Sequence, residues 1–382
     1  MVLSQAMRVE EARDVVAITE GLAQRIAEGA DKADAEDRFV AENYAMLKEA
    51  GLVDAGVPLE LGGGGADVRD LAGMLRVLGR CCGSTALAFA MHTHQVAIPA
   101  WRWRHQKVAA VEPLLKRIAA EKLILVSSGG SDWINGSGTA RKVEGGYRIS
   151  GRKIFSSGAA AGDVFMTGAV LEEDGERHVL HFGAPMKAAE VHILDTWHTL
   201  GMRGTGSHDV MLDELFIPDA GVALKRKAGE WHPLFHTIAT IATPLIHGAY
   251  LGVADSACAI ALEVAKKRPI THDARALAGR MMTELAGADM AHQTMLATVE
   301  LNAPSAETVN VAMESKILLA DHAIRAVELA MELASGAGFY RSAGLERRFR
   351  DIQGARFHAM QRGPQAQYAG AMALGESVAT VF

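Results

Sequence analysis

Cysteine is scarce in this chain. Three cysteines, Cys81, Cys82 and Cys258, occur in 382 residues, and neither a C-x-x-C pair nor a Cys/His ligand spacing is present. Adjacent cysteines make a poor disulfide, and a structural metal site usually shows Cys or His ligands separated by two to five residues, as in C-x-x-C. The sequence therefore predicts no disulfide framework and no metal site, and it favours a reducing, cytoplasmic environment.

Concentrated positive charge is also lacking. The 39 Lys and Arg residues are outnumbered by 45 Asp and Glu residues, which gives a net charge of −6 at pH 7. Nucleic-acid binding requires a clustered basic surface. No uninterrupted stretch of about 20 apolar residues occurs, and Glu10, Glu11 and Asp14 are charged where a secretory signal would be apolar. We expect a protein that binds neither nucleic acid nor a membrane and that carries no secretory signal.

The hydrophobic residues follow two different periodicities. Apolar residues recur at helical spacing up to about residue 121 and again from about residue 226. Between these regions, apolar and polar residues alternate in short runs that are separated by glycine turns. This order predicts an α+β multidomain protein with an N-terminal helical domain (1–121), a middle β domain (122–225) and a C-terminal helical domain (226–382). In the first domain it predicts two amphipathic helices over residues 9–56, interrupted by the charged segment 31–37.

Two stretches carry the strongest motifs. Residues 197–210, WHTLGMRGTGSHDV, place Arg203, Thr205 and Ser207 in a turn rich in glycine, and residues 350–364 read RDIQGARFHAMQRGP. Together they resemble the acyl-CoA dehydrogenase family of flavoproteins, and the helix–strand–helix order agrees over nearly the whole chain. The resemblance implies an N-terminal helical domain, a β-barrel-like middle domain and a C-terminal four-helix bundle, with FAD as cofactor and FMN as the alternative.

A loop of small residues, SSGGSD, follows the predicted strand at 123–128. Such residues let backbone N–H groups approach a ligand closely, although a plain surface hairpin has the same composition. The loop resembles the end of the family's flavin-binding loop. That resemblance implies that Ser127, Ser128 and Ser131 contact the flavin.

The segment KIFSSG at 153–158 reads, by itself, as an alternating strand that ends in a polar turn. It also resembles the family's strand that packs on the flavin. The resemblance implies that Phe155 lies against the ring system, that Ser157 forms a hydrogen bond near the redox-active N5, and that Ser156 widens the site.

Two further elements are implied for the flavin phosphates. Arg268 follows a long predicted helix, where a cation also complements the helix dipole. Gly336 and Gly338 interrupt an apolar helix and read as a C-terminal cap. By resemblance, Arg268 and this glycine turn bind the flavin phosphates, Arg268 from a neighbouring subunit.

The family's catalytic glutamate has no counterpart here. The two positions at which family members carry it correspond to Ala359 and Ala242. His358 stands beside the first position, and flavin-dependent monooxygenases of the same fold use histidine and serine side chains to hold the reactive flavin. We therefore take His358, His92 and Ser157 as catalytic candidates, because an imidazole titrates near neutral pH, and we treat His94 as structural.

Three functions follow from these observations. The first is oxidation of the Cα–Cβ bond of an acyl thioester by hydride transfer to flavin, with an electron-acceptor flavoprotein as partner. The second is a two-component monooxygenase that takes reduced flavin from a reductase and uses O2 on a small organic, aromatic substrate. The third is a silent scaffold that retains the fold. The resemblance also implies a homotetramer or homodimer.

Overall fold

The N-terminal region is helical. The computed structural model describes residues 11–379, and its first six helices are α1 (Val15–Glu28), α2 (Ala30–Ala35), α3 (Ala41–Glu49), α4 (Val68–Cys81), α5 (Gly83–Gln106) and α6 (Glu112–Glu121). The charged segment 31–37 does not simply separate two helices as predicted, because most of it forms α2. Ala30 and Ala33 are buried there while Asp31 and Lys32 face outward.

Helices α4 and α5 show how local sequence sets these elements. Asp67 begins α4 with a capping box, in which its side chain accepts the Asp70 N–H at 2.9 Å and the Asp70 side chain accepts the Asp67 N–H at 3.3 Å. Helix α5 is buried along most of its length, including His92 and His94. It is therefore a central helix against which the sheet can pack.

The middle region forms one eight-stranded sheet. Its strands are β1 (Leu125–Ser127), β2 (Thr139–Val143), β3 (Gly146–Lys153), β4 (Val164–Glu173), β5 (Glu176–Pro185), β6 (Val191–Ile193), β7 (Val210–Pro218) and β8 (Val222–Lys227). The order is β6-β7-β3-β2-β4-β5-β8, and β1 pairs in parallel with β4. Strands β1, β3, β4, β5 and β7 largely coincide with the short alternating runs of the sequence, whereas β2, β6 and β8 lack a clear apolar alternation. The prediction of a strand at 153–158 is wrong, because β3 ends at Lys153 and the next residues form a turn.

The C-terminal region returns to helices. They are α7 (Leu234–Lys266), α8 (His272–Glu300), α9 (Ala306–Ala334), α10 (Leu345–Ile352) and α11 (Arg362–Leu374). Helix α7 has the length and composition of a membrane span, but 67% of its most apolar window is buried inside the protein. Buried side chains on α7, α8 and α9 form one apolar core, so α7 has the burial expected of a core helix.

The two stretches with the strongest motifs meet directly. The Met202 N–H donates to Asp351 Oδ1 at 2.5 Å, and a side chain at Gly201 would place its Cβ 2.3 Å from the Arg350 carbonyl oxygen. Burial raises the pKa of Asp351 to about 6. Arg350 also forms a bidentate ion pair with Asp34 of α2. These contacts fix the loop before β7, α10 and the N-terminal helices relative to one another, and they position the segment that follows α10.

Candidate functional site

His358 lies at the centre of a polar cluster formed by two C-terminal helices. The hydroxyl of Tyr250, on α7, lies 2.7 Å from His358 Nε2. Lys316, on α9, donates from Nζ to the carbonyl oxygen of His358 at 2.6 Å and also to the carbonyl oxygen of Met360. His247, one turn before Tyr250 on α7, has its ring centroid 6.3 Å from that of His358. The cluster therefore holds both the side chain and the backbone of His358.

The buried surroundings of this cluster favour the uncharged forms of His358 and Tyr250. Burial, together with Lys316 and His94, lowers the pKa of His358 to about 3. Burial lowers the pKa of Lys316 to about 7 and raises that of the Tyr250 phenol. At neutral pH, His358 is thus an uncharged imidazole that faces an uncharged phenol. Such a pair can hold or pass on a proton, but its imidazole is a weak base.

Sequence reasoning missed Tyr250, Lys316 and His247. Tyr250 and His247 stand in the apolar run IHGAYLGV, and Lys316 stands among the buried positions of α9. One signal in the sequence pointed to Lys316, which stands on an apolar helical face. A lysine buried there requires hydrogen-bond acceptors from another segment. The helical period does not say which segment supplies those acceptors.

The loop after β1 approaches the same segment from the other side. A side chain at Gly130 would place its Cβ 2.5 Å from Ala359 Cβ, so the two backbones can meet only because residue 130 is glycine. The Gly129 N–H donates to the Ile154 carbonyl oxygen at 2.9 Å. The structure therefore brings the β1 loop, the end of β3 and the His358 segment together.

Phe155 and Ser157 follow β3 at this junction. Phe155 has a φ of 54°, is 52% exposed and meets Trp197 edge to face with ring centroids 6.0 Å apart. A positive φ at a bulky residue is uncommon and is found at functional sites more often than elsewhere. An exposed aromatic ring held in this way offers a flat apolar surface to a ligand.

Ser157 belongs to a chain of hydroxyl groups. Thr205 donates to the Met202 carbonyl oxygen at 2.8 Å, Ser207 Oγ lies 2.6 Å from Thr205 Oγ1, and Ser157 Oγ lies 2.7 Å from Ser207 Oγ. Because each hydroxyl has one proton and a carbonyl only accepts, Ser207 must donate to Thr205 and Ser157 to Ser207. The Ser157 oxygen is consequently left with its lone pairs for a further donor.

The other predicted serines have different surroundings. Ser127 is buried in β1, and Ser128 Oγ is 2.9 Å from Thr167 Oγ1. Ser156 Oγ is fully buried and has no hydrogen-bond partner among residues 11–379. The side chain of Ser131 lies outside the described part of the structure.

Arg268, Gly336 and Gly338 come together at the far end of α9. Arg268 Nη2 donates to the carbonyl oxygen of Leu333 at 2.9 Å, in the last turn of that helix. Gly336 and Gly338 lie in the 3-10 turn Ser335–Phe339, which follows directly. These three residues form one unit, and no contact within the described residues joins them to His358.

His92 lies away from this cluster, in a packed seam between α5, the first residue of β1 and the segment after α3. Its Nε2 is 2.7 Å from the Val53 carbonyl oxygen, and its Nδ1 accepts the Leu125 N–H at 3.0 Å. Burial lowers the pKa of His92 to about 4. Both ring nitrogens are thus bonded to backbone groups, and the ring is 1% exposed. This arrangement favours a structural role over the predicted catalytic one, because no nitrogen is free for a substrate or cofactor.

Residues 127–158 and 358–360 fit a flavin. The loop backbone is free of side chains at Gly129 and Gly130, the Phe155 ring is exposed beside it, and Ser157 presents an unused acceptor. A flat ring system with edge N–H and C=O groups needs an apolar face together with a few polar groups of this kind.

Comparisons with known proteins agree with this geometry. Family models described as the N-terminal, middle and C-terminal domains of acyl-CoA dehydrogenase match residues 9–116, 127–215 and 245–362. The chain belongs to the acyl-CoA dehydrogenase family. The fold predicted from the sequence is thereby confirmed, and so is its cofactor class, because the family is flavin-dependent.

Two relatives have names that point away from dehydrogenation. A pigment production hydroxylase of a Rhodococcus species is 27% identical over 367 residues, covering 88% of this chain and 90% of the relative. The amino sugar nitrososynthase DnmZ of Streptomyces peucetius is 26% identical over 362 residues, covering 90% and 88%.

A solved structure agrees with these relatives. KijD3 in complex with FMN and a dTDP-linked amino-keto sugar superposes with a TM-score of 0.88 at 26% identity, covering 97% of this chain and 96% of that one. Acyl-CoA dehydrogenases and flavin monooxygenases also occur among proteins of this fold. The chain is therefore a flavin-dependent enzyme of the acyl-CoA dehydrogenase fold.

Proposed function

We propose that this protein is a flavin-dependent monooxygenase that takes reduced flavin from a separate reductase and uses O2 to oxygenate a small organic substrate. One observation carries the proposal. At the position where family members have a catalytic glutamate the chain has Ala359, and beside it stands the neutral pair of His358 and Tyr250. The second such position, Ala242, is a buried alanine on α7.

A neutral site suits oxygenation better than thioester dehydrogenation. Removal of an α-proton needs a base whose pKa is close to the working pH. His358 has a pKa of about 3 because of its burial and the nearby Lys316, so it binds that proton poorly. Acyl-thioester dehydrogenation is the second candidate, and it is supported by relatives such as the probable acyl-CoA dehydrogenase YngJ of Bacillus subtilis, 24% identical over 346 residues.

The proposed roles combine the contacts described above with the family resemblance. Phe155 packs on the ring system of the flavin, and Ser157 accepts a hydrogen bond from its edge. By resemblance to the family, Ser127, Ser128, Ser131 and Ser156 would contribute to the binding of the ring or its polar edge. When bound, reduced flavin supplies the two electrons with which one oxygen atom of O2 enters the substrate and the other leaves as water. His358 is a hydrogen-bonding group on the substrate side.

The turn at the end of α9 is the proposed phosphate site. Arg268 carries a positive charge there, and Gly336 leaves its surroundings open because nothing lies within 4 Å of where its Cβ would be. A diphosphate requires such charge and open backbone. We infer FAD as the cofactor, with FMN as the alternative, in a cytoplasmic homo-oligomer. Its partner would be a flavin reductase, or an electron-acceptor flavoprotein if the protein is a dehydrogenase.

The test uses isotopically labelled oxygen. Protein loaded anaerobically with photoreduced flavin is mixed with ¹⁸O2 and a panel of aromatic, amine and amino-sugar substrates, and products are analysed by mass spectrometry. The proposal predicts one ¹⁸O atom in the product, and the same reaction with oxidised flavin is the control. Bleaching of oxidised flavin by an acyl-CoA panel without oxygen would instead establish a dehydrogenase.

A further inference from the structure

We infer that Tyr250 and Lys316 are positioning residues that fix His358 as a hydrogen-bond donor, with the Tyr250 hydroxyl bonded to Nε2 and the imidazole proton held on Nδ1. The inference rests on the proposed function only for what His358 then does. The position of the proton is a property of the polypeptide itself.

The hydroxyl of Tyr250 determines the first step. Tyr250 is fully buried, and its hydroxyl lies 2.7 Å from His358 Nε2. No other hydrogen-bond acceptor reaches it within residues 11–379. Gly354 packs against the same hydroxyl, because an added Cβ there would come 2.7 Å from its oxygen. The hydroxyl therefore has a single direction in which to bond.

The count of protons determines the second step. Burial raises the pKa of Tyr250, so the phenol retains its proton at neutral pH. A buried hydroxyl proton without an acceptor costs free energy. The phenol thus donates to Nε2, which must be the unprotonated nitrogen. In a neutral imidazole the other nitrogen then carries the proton.

Lys316 completes the arrangement. It is 1% exposed, and its Nζ bonds to the carbonyl oxygens of His358 and Met360, on both sides of Ala359. These bonds prevent the ring from turning away together with its backbone. A positive charge on Lys316 also opposes a second proton on His358, so that the neutral ring is retained.

The Nδ1 atom is the group that this arrangement presents. It has no protein partner in the described part of the chain, and His358 is half-buried with Nδ1 not sealed from solvent. An N–H fixed in this way can donate to an oxygen atom that gains negative charge during the reaction. In the same state it cannot abstract a proton through Nδ1. The tautomer thus favours the oxygenase over the dehydrogenase.

Nitrogen-15 NMR of histidine-labelled protein measures the tautomer directly, because protonated and unprotonated ring nitrogens have well-separated shifts. Among 15 histidines, His358 is assigned as the signal lost in His358→Gln. We expect protonated Nδ1 and hydrogen-bonded, unprotonated Nε2 in the wild type near pH 7. In Tyr250→Phe the Nδ1–H form should decrease about tenfold relative to the Nε2–H form, the loss expected for one buried hydrogen bond.

Tyr368→Phe is the matched control. Tyr368 is also fully buried, and its hydroxyl donates to the Ala306 carbonyl oxygen at 3.3 Å, so this substitution removes a tyrosine hydroxyl of comparable burial. The His358 signals should not change in this variant. Formation of oxygenated product per O2 consumed should fall about tenfold in Tyr250→Phe and stay unchanged in Tyr368→Phe.

A protonated Nε2 in the wild type would overturn the inference, and this measurement needs only the assignment variant His358→Gln to fold. The same is true if Tyr250→Phe folds and leaves the tautomer unchanged. Absence of ¹⁸O from every product, with Nδ1 protonated as expected, would instead remove the proposed function and leave the tautomer assignment standing.

Discussion

His92 and His358 are both histidines among buried neighbours, and both have a pKa lowered chiefly by burial, yet their partners differ. His92 uses both ring nitrogens on the backbone groups of Val53 and Leu125. His358 uses one nitrogen on the Tyr250 side chain and leaves the other open. Burial and a lowered pKa therefore do not identify a catalytic histidine. A catalytic candidate also needs an unused ring nitrogen at the candidate flavin site, as His358 has.

The difference also lies in what each histidine connects. His92 joins α5 to the first residue of β1 and to the segment after α3, so its bonds contribute to folding. His358 is held by side chains from α7 and α9, and its segment meets Gly130 across the candidate flavin site. Residues selected for a reaction commonly contribute less to stability than residues of a packed seam. Substitution of each histidine can separate the two roles.

The largest effect is expected at His358. We predict that His358→Ala lowers product formation about a hundredfold to a thousandfold, the usual cost of losing one positioned proton donor. The free energy of unfolding should fall by only about 1 kcal/mol, because the Tyr250 hydroxyl loses its one partner while no backbone group does. Steady-state oxygenation and denaturant unfolding measure the two quantities.

His322→Ala serves as the control for surface histidines, since the His322 side chain is 40% exposed and pairs with Glu284 at 2.6 Å. It should leave product formation unchanged and lower the free energy of unfolding by less than about 0.5 kcal/mol, as is usual for surface positions. Full turnover by His358→Ala would show that His358 is structural, and the contrast with His92 would then disappear.

The sequence was informative where the local pattern determines the structure. The predicted order of helices, strands and helices is the order that the structure has. The two motif stretches, which together indicated the family, are in direct contact through Met202 and Asp351. The roles that the resemblance implies for Phe155 and Ser157 at a flavin stay predictions. Periodicity and motifs depend on neighbours along the chain, and both can be read without a structure.

The partners that separate His92 from His358 could not be predicted. Tyr250 is 108 residues and Lys316 is 42 residues from His358 in sequence, and each stands on a helix whose period indicates only that its face is buried. Whether a buried histidine meets a carbonyl oxygen, an N–H or a phenol depends on how distant elements pack. For the same reason His92 was predicted to be catalytic, although its environment is that of a structural residue.

The second largest effect is expected at His92. We predict that His92→Ala lowers the free energy of unfolding by about 3 kcal/mol, because the Leu125 N–H and the Val53 carbonyl oxygen lose their partner in a buried seam. Denaturant unfolding at neutral pH measures this loss. Turnover of the folded fraction should remain close to wild type. A stability change below about 0.5 kcal/mol, as is usual for surface positions, would contradict the seam role.

The smallest effect concerns the pH dependence of stability, and it tests the physical basis of the comparison. His92 has a folded pKa of about 4, below the unfolded value of about 6.5. Between these values the unfolded chain binds a proton that the folded protein does not bind, because burial disfavours the charged imidazole. His92 therefore lowers stability progressively as the pH falls from about 6.5 towards 4.

Other buried histidines contribute to the same slope, and Asp351 opposes it, because its raised pKa makes the folded state gain a proton as the pH falls through about 6. The difference between the wild type and His92→Gln isolates one residue, since glutamine retains a side-chain donor but does not titrate. Between pH 7 and pH 5 the wild type should lose about 2 kcal/mol more than His92→Gln. Equal slopes of unfolding free energy against pH would mean that His92 binds a proton in the folded state within this pH range. Its ring would then be no better protected from solvent than that of His358.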